Sequence, residues 1–337
     1  MTEMTVLNGA AIEELLTIPM AVQAVEQAYV EKSKGDAALW PMVFHEFDPG
    51  HADLDIKSGN LDGLGFYGLK VVSWFGANPD KGLPALYGTS LLFDLSTGAP
   101  KALLNAGPIT DFRTGAAGAI GAKHLARPDA KTLLMAGTGA LAPYLIAATL
   151  YLLPQIKTVY VANPHHPAQS AAACAAIVPQ VEKLLAPCGG CCAEILPAPD
   201  LETATKHSQV ILTATPARQP FLKAEWVQPG THISCVGADM SGKQEVDDAL
   251  LASAKVFGDD TAQCLSVGEC EVPYKTGVFS GNICEIGQVI TGAAAGRAAD
   301  SDITVFDSTG IALQDIAAAA ALLQAAQKTG KGQAVTL

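Results

Sequence analysis

The chain has 337 residues, enough for one large domain or two moderate ones with a sizeable core. Its formal charge is −12, from 21 Lys and Arg against 33 Asp and Glu, and no basic stripe runs through it. Both features exclude a nucleic-acid partner held by phosphate neutralisation. The N-terminus lacks the basic and apolar regions of a signal peptide. The longest apolar run, 140–153, contains Pro143 and is too short to span a bilayer. A cytoplasmic protein without a membrane partner is expected.

Residues 8–30 carry Ile12, Leu15, Leu16, Val22, Val25 and Tyr29 at helical spacing, with Glu13, Glu14 and Glu26 between them. That predicts one or two amphipathic helices, the second started by Pro19. His45 and Lys57-Ser58 fall in polar stretches that read as solvated loop. Strands are predicted over 65–75, 85–94 and 101–105, with a Ser96-Thr-Gly98 turn, which implies an antiparallel or mixed sheet. From Asp129 onward strands and helices alternate, with strands at 132–136, 158–162, 210–214, 232–236, 255–257 and 303–306. This alternation is the signature of an α/β fold with a doubly wound parallel sheet. An Ala-rich helix starting near Asp315 closes the chain and is expected to return to the first domain.

Eight cysteines in a chain of this size do not read as a disulfide framework. Cys188-Gly-Gly-Cys191-Cys192 contains a C-x-x-C, but no second ligand pair lies at zinc spacing and the motif sits in a Gly-rich connection. Reduced loop thiols and no metal are expected.

The densest signal is Lys131-Thr-Leu-Leu-Met-Ala-Gly137-Thr-Gly139-Ala140-Leu141-Ala142. An apolar run ends in G-x-G-x-x-A and continues into a second apolar run, the form of a dinucleotide-binding turn. Gly137 makes the turn, Gly139 lets backbone N–H groups approach a pyrophosphate, and Ala142 lets helix and sheet pack closely. The next strand ends at Asn163, about 25 positions on, near the ~20 expected for a ribose contact.

Four charged residues stand out. Thr110 reads as a helix N-cap that puts Arg113 in the first turn, where a bound anion would relieve its conflict with the helix dipole. An ion pair with Asp111 is the alternative. Asp239 follows a strand end, where ligands of open α/β sheets bind, and reads equally as an acid facing a cofactor or as a helix cap. Lys243, four residues on, can balance its charge. Lys70 is a cation inside an apolar strand and must meet an anion, either a protein carboxylate or a substrate carboxylate.

Taken in order, these residues resemble the ornithine cyclodeaminase/μ-crystallin family. The motifs are Gly-Leu-Lys70-Val-Val, Gly-Leu-Pro84, Leu-Phe-Asp94 with Thr-Gly98, Thr110-Asp-Phe-Arg113-Thr-Gly-Ala, Gly137-x-Gly139 and Thr213-Ala-Thr215-Pro. Gly237-Ala-Asp239-x-x-Gly-Lys243-x-Glu245 and Phe306-Asp-Ser308-Thr-Gly310 through Asp315 complete the set. The resemblance implies a Rossmann domain over 120–308 and a mixed α+β substrate and dimerisation domain from 1–119 with 309–337, hence a homodimer. It assigns Lys70 to the substrate carboxylate, Arg113 to cofactor phosphates and Asp239 to proton transfer. Ala140, Leu141, Ala142, Asn163, Thr213, Val236, Lys243 and Ser308 would line the dinucleotide, and Thr309 the substrate.

Several departures bear on substrate and cofactor. Pro41-Met-Val-Phe-His45 lacks the Arg the family often shows there, so that role is vacant or moves to His45. Leu141 replaces the usual Gln, and Ala85 a common Thr. Asn163-Pro-His-His166 offers neither the acid typical of NAD enzymes nor the Arg typical of NADP enzymes. NAD is favoured because no guanidinium is offered to a 2′-phosphate, and NADP is not excluded.

The resemblance implies hydride transfer between a nicotinamide and a carbon bearing nitrogen, on a small imino or amino acid. His45, Lys57, Ser58 and Lys70 suit a substrate with a second carboxylate, such as iminosuccinate reduced to L-aspartate. Ornithine cyclisation to proline is the alternative, and a cofactor-binding protein without turnover a second one. Asp55 and Glu46 weigh toward an amine.

Overall fold

A computed structural model describes residues 3–337. The chain divides into a first unit of 3–113 with Ile311–Leu337 and a second unit of Thr114–Gly310. The boundaries expected from the sequence lay at 119/120 and 308/309.

In the first unit, β1 (Glu3–Leu7) leads into α1 (Gly9–Leu15) and α2 (Ile18–Lys34). Both helices start on a side-chain cap. Asn8 Oδ1 accepts from Ala11 N at 2.9 Å and Thr17 Oγ1 from Met20 N at 3.4 Å. Pro19 sits in the first turn of α2, where its missing N–H costs nothing. There follow β2 (Ala37–Leu39), β3 (Val43–Asp48), β4 (Ala52–Leu61), β5 (Phe66–Phe75), β6 (Leu86–Asp94) and β7 (Pro100–Asn105).

Strands β3 and β4 overturn the loop reading of His45 and Lys57-Ser58. β3 is exposed along its whole length, and β4 buries the charged Lys57 at one of its inward positions. The usual apolar-in, polar-out alternation is therefore absent from both.

The helix α3 (Ala106–Leu125) also departs from expectation. It begins straight after β7, with Pro108 in its first turn, and Thr110 is inside it rather than capping it.

The second unit runs β8 (Thr132–Ala136), α4 (Ala142–Leu152), β9 (Thr158–Ala162), α5 (Ser170–Leu185), β10 (Glu194–Pro197), α6 (Leu201–His207) and β11 (Val210–Thr213). It continues with β12 (His232–Cys235), α7 (Asp248–Ser253), β13 (Lys255–Gly258), α8 (Thr261–Val267), α9 (Glu271–Lys275), β14 (Ile283–Glu285), α10 (Ile286–Ile290) and β15 (Thr304–Asp307). Its sheet is parallel throughout, in the order β10-β9-β8-β11-β12-β15-β13-β14. The chain steps outward one way from β8 through β9 to β10, then the other way from β11. The switch point therefore lies at β8 and β11. Helices cover both faces, so β11, β12 and β15 are buried at every residue, the polar His232, Ser234 and Asp307 included. The segment Pro167–Cys188 is long and apolar enough to cross a membrane by composition. Within it, α5 buries Cys174, Ile177, Val181 and Leu185 beside α4, β9 and β10, the packing of a sheet-covering helix.

The chain then returns to the first unit through α11 (Ala312–Thr329) and β16 (Gln333–Thr336). Every residue from Ala312 to Ala320 is buried, between α2 and strands β4, β5 and β6. Small Ala side chains let this helix lie close to the sheet. β16 pairs antiparallel with β1, giving the order β16-β1-β7-β6-β5-β4-β2, with β3 also on β4.

Candidate active site

Three cations are buried in the first unit. Lys57 of β4 and Lys70 of β5 stand directly opposite each other in register, so both side chains leave the same face. Lys70 Nζ lies 3.0 Å from Asp315 Oδ2 and 3.1 Å from Oδ1. Arg113 Nε is 3.3 Å from Asp315 Oδ1, and Nη1 donates to Gln314 Oε1 at 3.0 Å. Gln314 in turn donates to the Tyr29 hydroxyl at 2.7 Å.

The anion Lys70 requires is thus a protein carboxylate, but one shared with Arg113. Burial, reinforced by the Arg113 guanidinium, lowers the Lys70 ammonium to about 8. Burial alone would raise the Asp315 carboxyl. The charges of Lys70 and Arg113 outweigh it and hold Asp315 below its usual value. Asp315 was given no role in the sequence reading. Its signal was the polar pair Gln314-Asp315 inside an otherwise apolar stretch of helix.

Two expected substrate residues lie elsewhere. Neighbouring positions of a strand face opposite ways, so Ser58 projects from the side of the sheet away from Lys57. His45 pairs with Leu54, which shares the Ser58 face, and its ring packs edge-on against Phe47 at 5.0 Å. Neither side chain leaves the sheet on the face of the cation cluster.

Arg113 changes its reading as well. With α3 starting at Ala106, Arg113 is past the first turn, and the helix-dipole argument for a phosphate there is lost. Its partner is Asp315, not Asp111. Burial raises the Asp111 carboxyl to about 6.

The dinucleotide candidates gather at the carboxyl ends of the parallel strands. Gly137 has φ 130°, and a Cβ there would come 2.4 Å from the Ala214 carbonyl oxygen, so the turn itself demands glycine. Gly139 is different. Its φ is not in the left-handed region, and a Cβ there would meet nothing within 4 Å among the described residues. No internal contact explains this glycine. Open space above it fits close approach by a pyrophosphate, and Leu141 at the start of α4 gives no side-chain cap to the first N–H groups. The residues present fit a dinucleotide.

Asn163 Nδ2 donates to Thr138 Oγ1 at 2.9 Å, while Oδ1 accepts from the His165 and His166 amides. It ties the end of β9 to the glycine turn. Val236 N donates to Thr213 O and Ser308 N to Cys235 O, both at 2.9 Å, which brings the ends of β11, β12 and β15 together. Two hydroxyls are already committed inward: Thr213 Oγ1 donates to Glu245 Oε2 at 2.6 Å and Thr309 Oγ1 to Asp259 Oδ1 at 2.8 Å.

Asp239 is half exposed and lies in an irregular segment after β12, so the helix-cap reading has no helix to cap. Its Oδ1 is 2.6 Å from Lys243 Nζ. Buried carboxylates pin the loop. Glu245 accepts from Thr215 N and Oγ1 through Oε1, and from Thr213 Oγ1 and Gly237 N through Oε2. Glu269 Oε1 accepts the Glu245 and Val246 amides, and Glu271 accepts from Ser241 Oγ and Gly242 N. Burial raises Glu245 and Asp307 to about 7. Burial and the Glu245 charge raise Glu269 well above the carboxylate range. The sequence reading gave these acids no role, because the sequence gives no sign of which amides a buried acid will meet.

A doubly wound sheet with a glycine turn at its switch point, in one chain with a unit that buries three cations around one carboxylate, defines a two-unit α/β dinucleotide-binding protein. The chain belongs to the ornithine cyclodeaminase/mu-crystallin family, whose model matches residues 2–330. It is 35% identical to the alanine dehydrogenase of Archaeoglobus fulgidus over 337 residues, covering 99% of this chain and 98% of that one. It is also similar to the NAD+ complex of the iminosuccinate reductase of Paracoccus denitrificans, with a TM-score of 0.88 at 30% identity over 99% and 100% of the two chains. The Thermococcus litoralis Δ(1)-pyrroline-2-carboxylate reductase, solved with NADH and L-proline, gives a TM-score of 0.86 at 29% identity over 98% and 99%.

Proposed function

We propose that this protein is an NAD(P)H-dependent reductase that converts a small α-imino acid to an L-amino acid, with a dicarboxylic imine such as iminosuccinate as its substrate. Relatives that act on alanine, iminosuccinate and pyrroline-2-carboxylate support the reaction class. NAD is the favoured cofactor, since the similar structures hold NAD+ or NADH and the end of β9 offers no guanidinium.

The observation that carries the substrate reading is the charge around Lys70. Lys57, Lys70 and Arg113 gather three buried cations around the Asp315 carboxylate. A cluster so rich in cations suits a substrate with an α-carboxylate and a second carboxylate.

A bound reduced nicotinamide supplies the hydride for the imine carbon. Lys70 and Arg113 orient the α-carboxylate, which converts an encounter into a positioned reaction. Asp239 exchanges the proton at the substrate nitrogen, because a protonated imine accepts hydride more readily than a neutral one.

A homodimer belongs to the same reading. Val43, Phe44, Phe47, Phe75, Leu86 and Tyr87 are 38–56% exposed on neighbouring strands of the first unit. That is an apolar surface a second copy would cover. The archaeal alanine dehydrogenase it resembles is described as a dimer. All eight cysteines are free, which suits a reducing, cytoplasmic setting.

The test is NADH consumption with oxaloacetate plus ammonium, against pyruvate plus ammonium. Ammonium-dependent consumption that favours oxaloacetate, and a Lys57→Ala variant that loses oxaloacetate turnover more than pyruvate turnover, are expected. Equal losses reject the second carboxylate, and an Asp239→Asn variant with normal turnover removes Asp239 from the chemistry. Asp55, on the Lys57 face two positions away, favours a second reading, ornithine cyclisation. That reading requires ammonia release from ornithine with no net change in NADH.

A further inference from the structure

Lys57, Lys70 and Ser90 form a row across three neighbouring strands. Lys57 of β4 pairs with Lys70 of β5, and Lys70 with Ser90 of β6, so the three side chains rise from one face. Beyond Ser90 the row turns apolar, through Leu104 of β7 to Leu7 of β1. Ser90 is only 3% exposed, and its Oγ has no hydrogen-bond partner among the described residues.

An unmade hydrogen bond on a buried hydroxyl is costly, and native structures keep few of them. Packing alone would be served by an apolar side chain, as at Leu92, the next residue of β6 on this face, which is fully buried. Directly paired residues have Cβ atoms about 4.5–5.5 Å apart, so a group held by the Lys70 ammonium is within reach of the Ser90 hydroxyl. The position also suits the charge. Lys57, Lys70 and Arg113 already crowd positive charge here, and a neutral donor adds direction without adding repulsion.

Resting on Lys70 as the carboxylate anchor, the geometry points to Ser90 as a substrate-binding residue whose Oγ donates to a carboxylate oxygen held by Lys70. The ligand class is a small carboxylate, and the hydroxyl proton is shared with it, not transferred.

The experiment is calorimetric titration of malonate into the NAD+-loaded protein, for wild type, Ser90→Ala and Ser90→Cys. Ser90→Ala should weaken malonate about tenfold, the size of one hydrogen bond to a charged group. Ser90→Cys, with its weaker donor, should fall between the two. NAD+ affinity should not move, and the Tm of Ser90→Ala should match or exceed that of wild type, because an orphaned polar group has been removed. Equal malonate affinity in wild type and Ser90→Ala overturns the proposal. So does a Ser90→Ala variant that loses Tm and NAD+ affinity together, or a wild type that binds no malonate. A wild type that binds malonate but reduces no imino acid rejects the functional reading instead, and the Ser90→Ala comparison still decides the role of the hydroxyl.

Discussion

Lys70 and Asp315 are 245 positions apart in the chain, yet Lys70 Nζ donates to Asp315 Oδ1 at 3.1 Å inside the first unit. The carboxylate arrives on α11, after the chain has completed the whole parallel sheet. Because the same oxygen faces Arg113 Nε, one acid stabilises two buried cations.

Removing that acid should be severe. Asp315→Ala leaves Lys70 and Arg113 buried without their counter-charge, and loss of one partner of a buried pair costs about 3–5 kcal/mol. Urea denaturation should register a loss of that size. A loss under about 1 kcal/mol, the range of exposed pairs, would mean that water reaches both cations in the folded state.

The lowered Lys70 ammonium predicts a pH limb. At about 8 it is charged below neutral pH and loses its charge as pH rises through 8. The kcat/KM for the carboxylate substrate should therefore fall above about pH 8, because that ratio reports groups of the free enzyme. A bound carboxylate favours the charged form, so the limb in kcat should lie at higher pH. Lys70→Arg, charged throughout, should lack the limb. A profile flat to pH 10 in wild type would remove Lys70 from substrate binding.

Stability should run the other way from ordinary acid denaturation. Glu245, Glu269 and Asp307 face one another in the second unit with raised carboxyls, so the native state keeps protons that the unfolded chain releases near about pH 4. Stability from these groups is complete below that value and is lost as pH rises through about 7. Tm should fall between pH 5 and 8. Glu269→Gln mimics the protonated acid and keeps Oε1 for the Glu245 and Val246 amides. It should flatten the slope, and an unaltered slope would clear Glu269 of holding a proton.

The two glycines of the turn should separate fold from ligand. Gly139→Val meets open space, so Tm without cofactor should hold while NADH affinity drops by at least about tenfold. Gly137→Ala would press on the Ala214 carbonyl and should lower Tm with or without cofactor. Fluorescence titration and thermal melts on both variants decide it. Undiminished NADH affinity in Gly139→Val would show that the pyrophosphate lies elsewhere.

What the sequence made legible follows from what was buried. The inner strands β8, β9, β11, β12 and β15 are largely buried and were read to within a residue or two. The short, part-exposed edge strands β10 and β14 were not predicted. β4 could not be read in that way because its inward positions include Lys57. Without that strand, the two-residue period was unknown, and His45 and Ser58 were placed with Lys57 when alternation puts them on the other side. Lys70 was legible as a cation out of place. Its partner was not, because proximity to Asp315 is created only by the return of α11.

The pairing of Lys57 with Lys70 is a matter of register, and register has period two. Deleting one residue from the loop before β4 and adding one after it would turn Lys57 to the far side and bring Ser58 opposite Lys70. The charge seen by the distal end of a substrate would change with no lysine mutated. In a sheet built this way, the lengths of the loops around β4 decide which side chain faces Lys70 as firmly as the identity of the charged residues does.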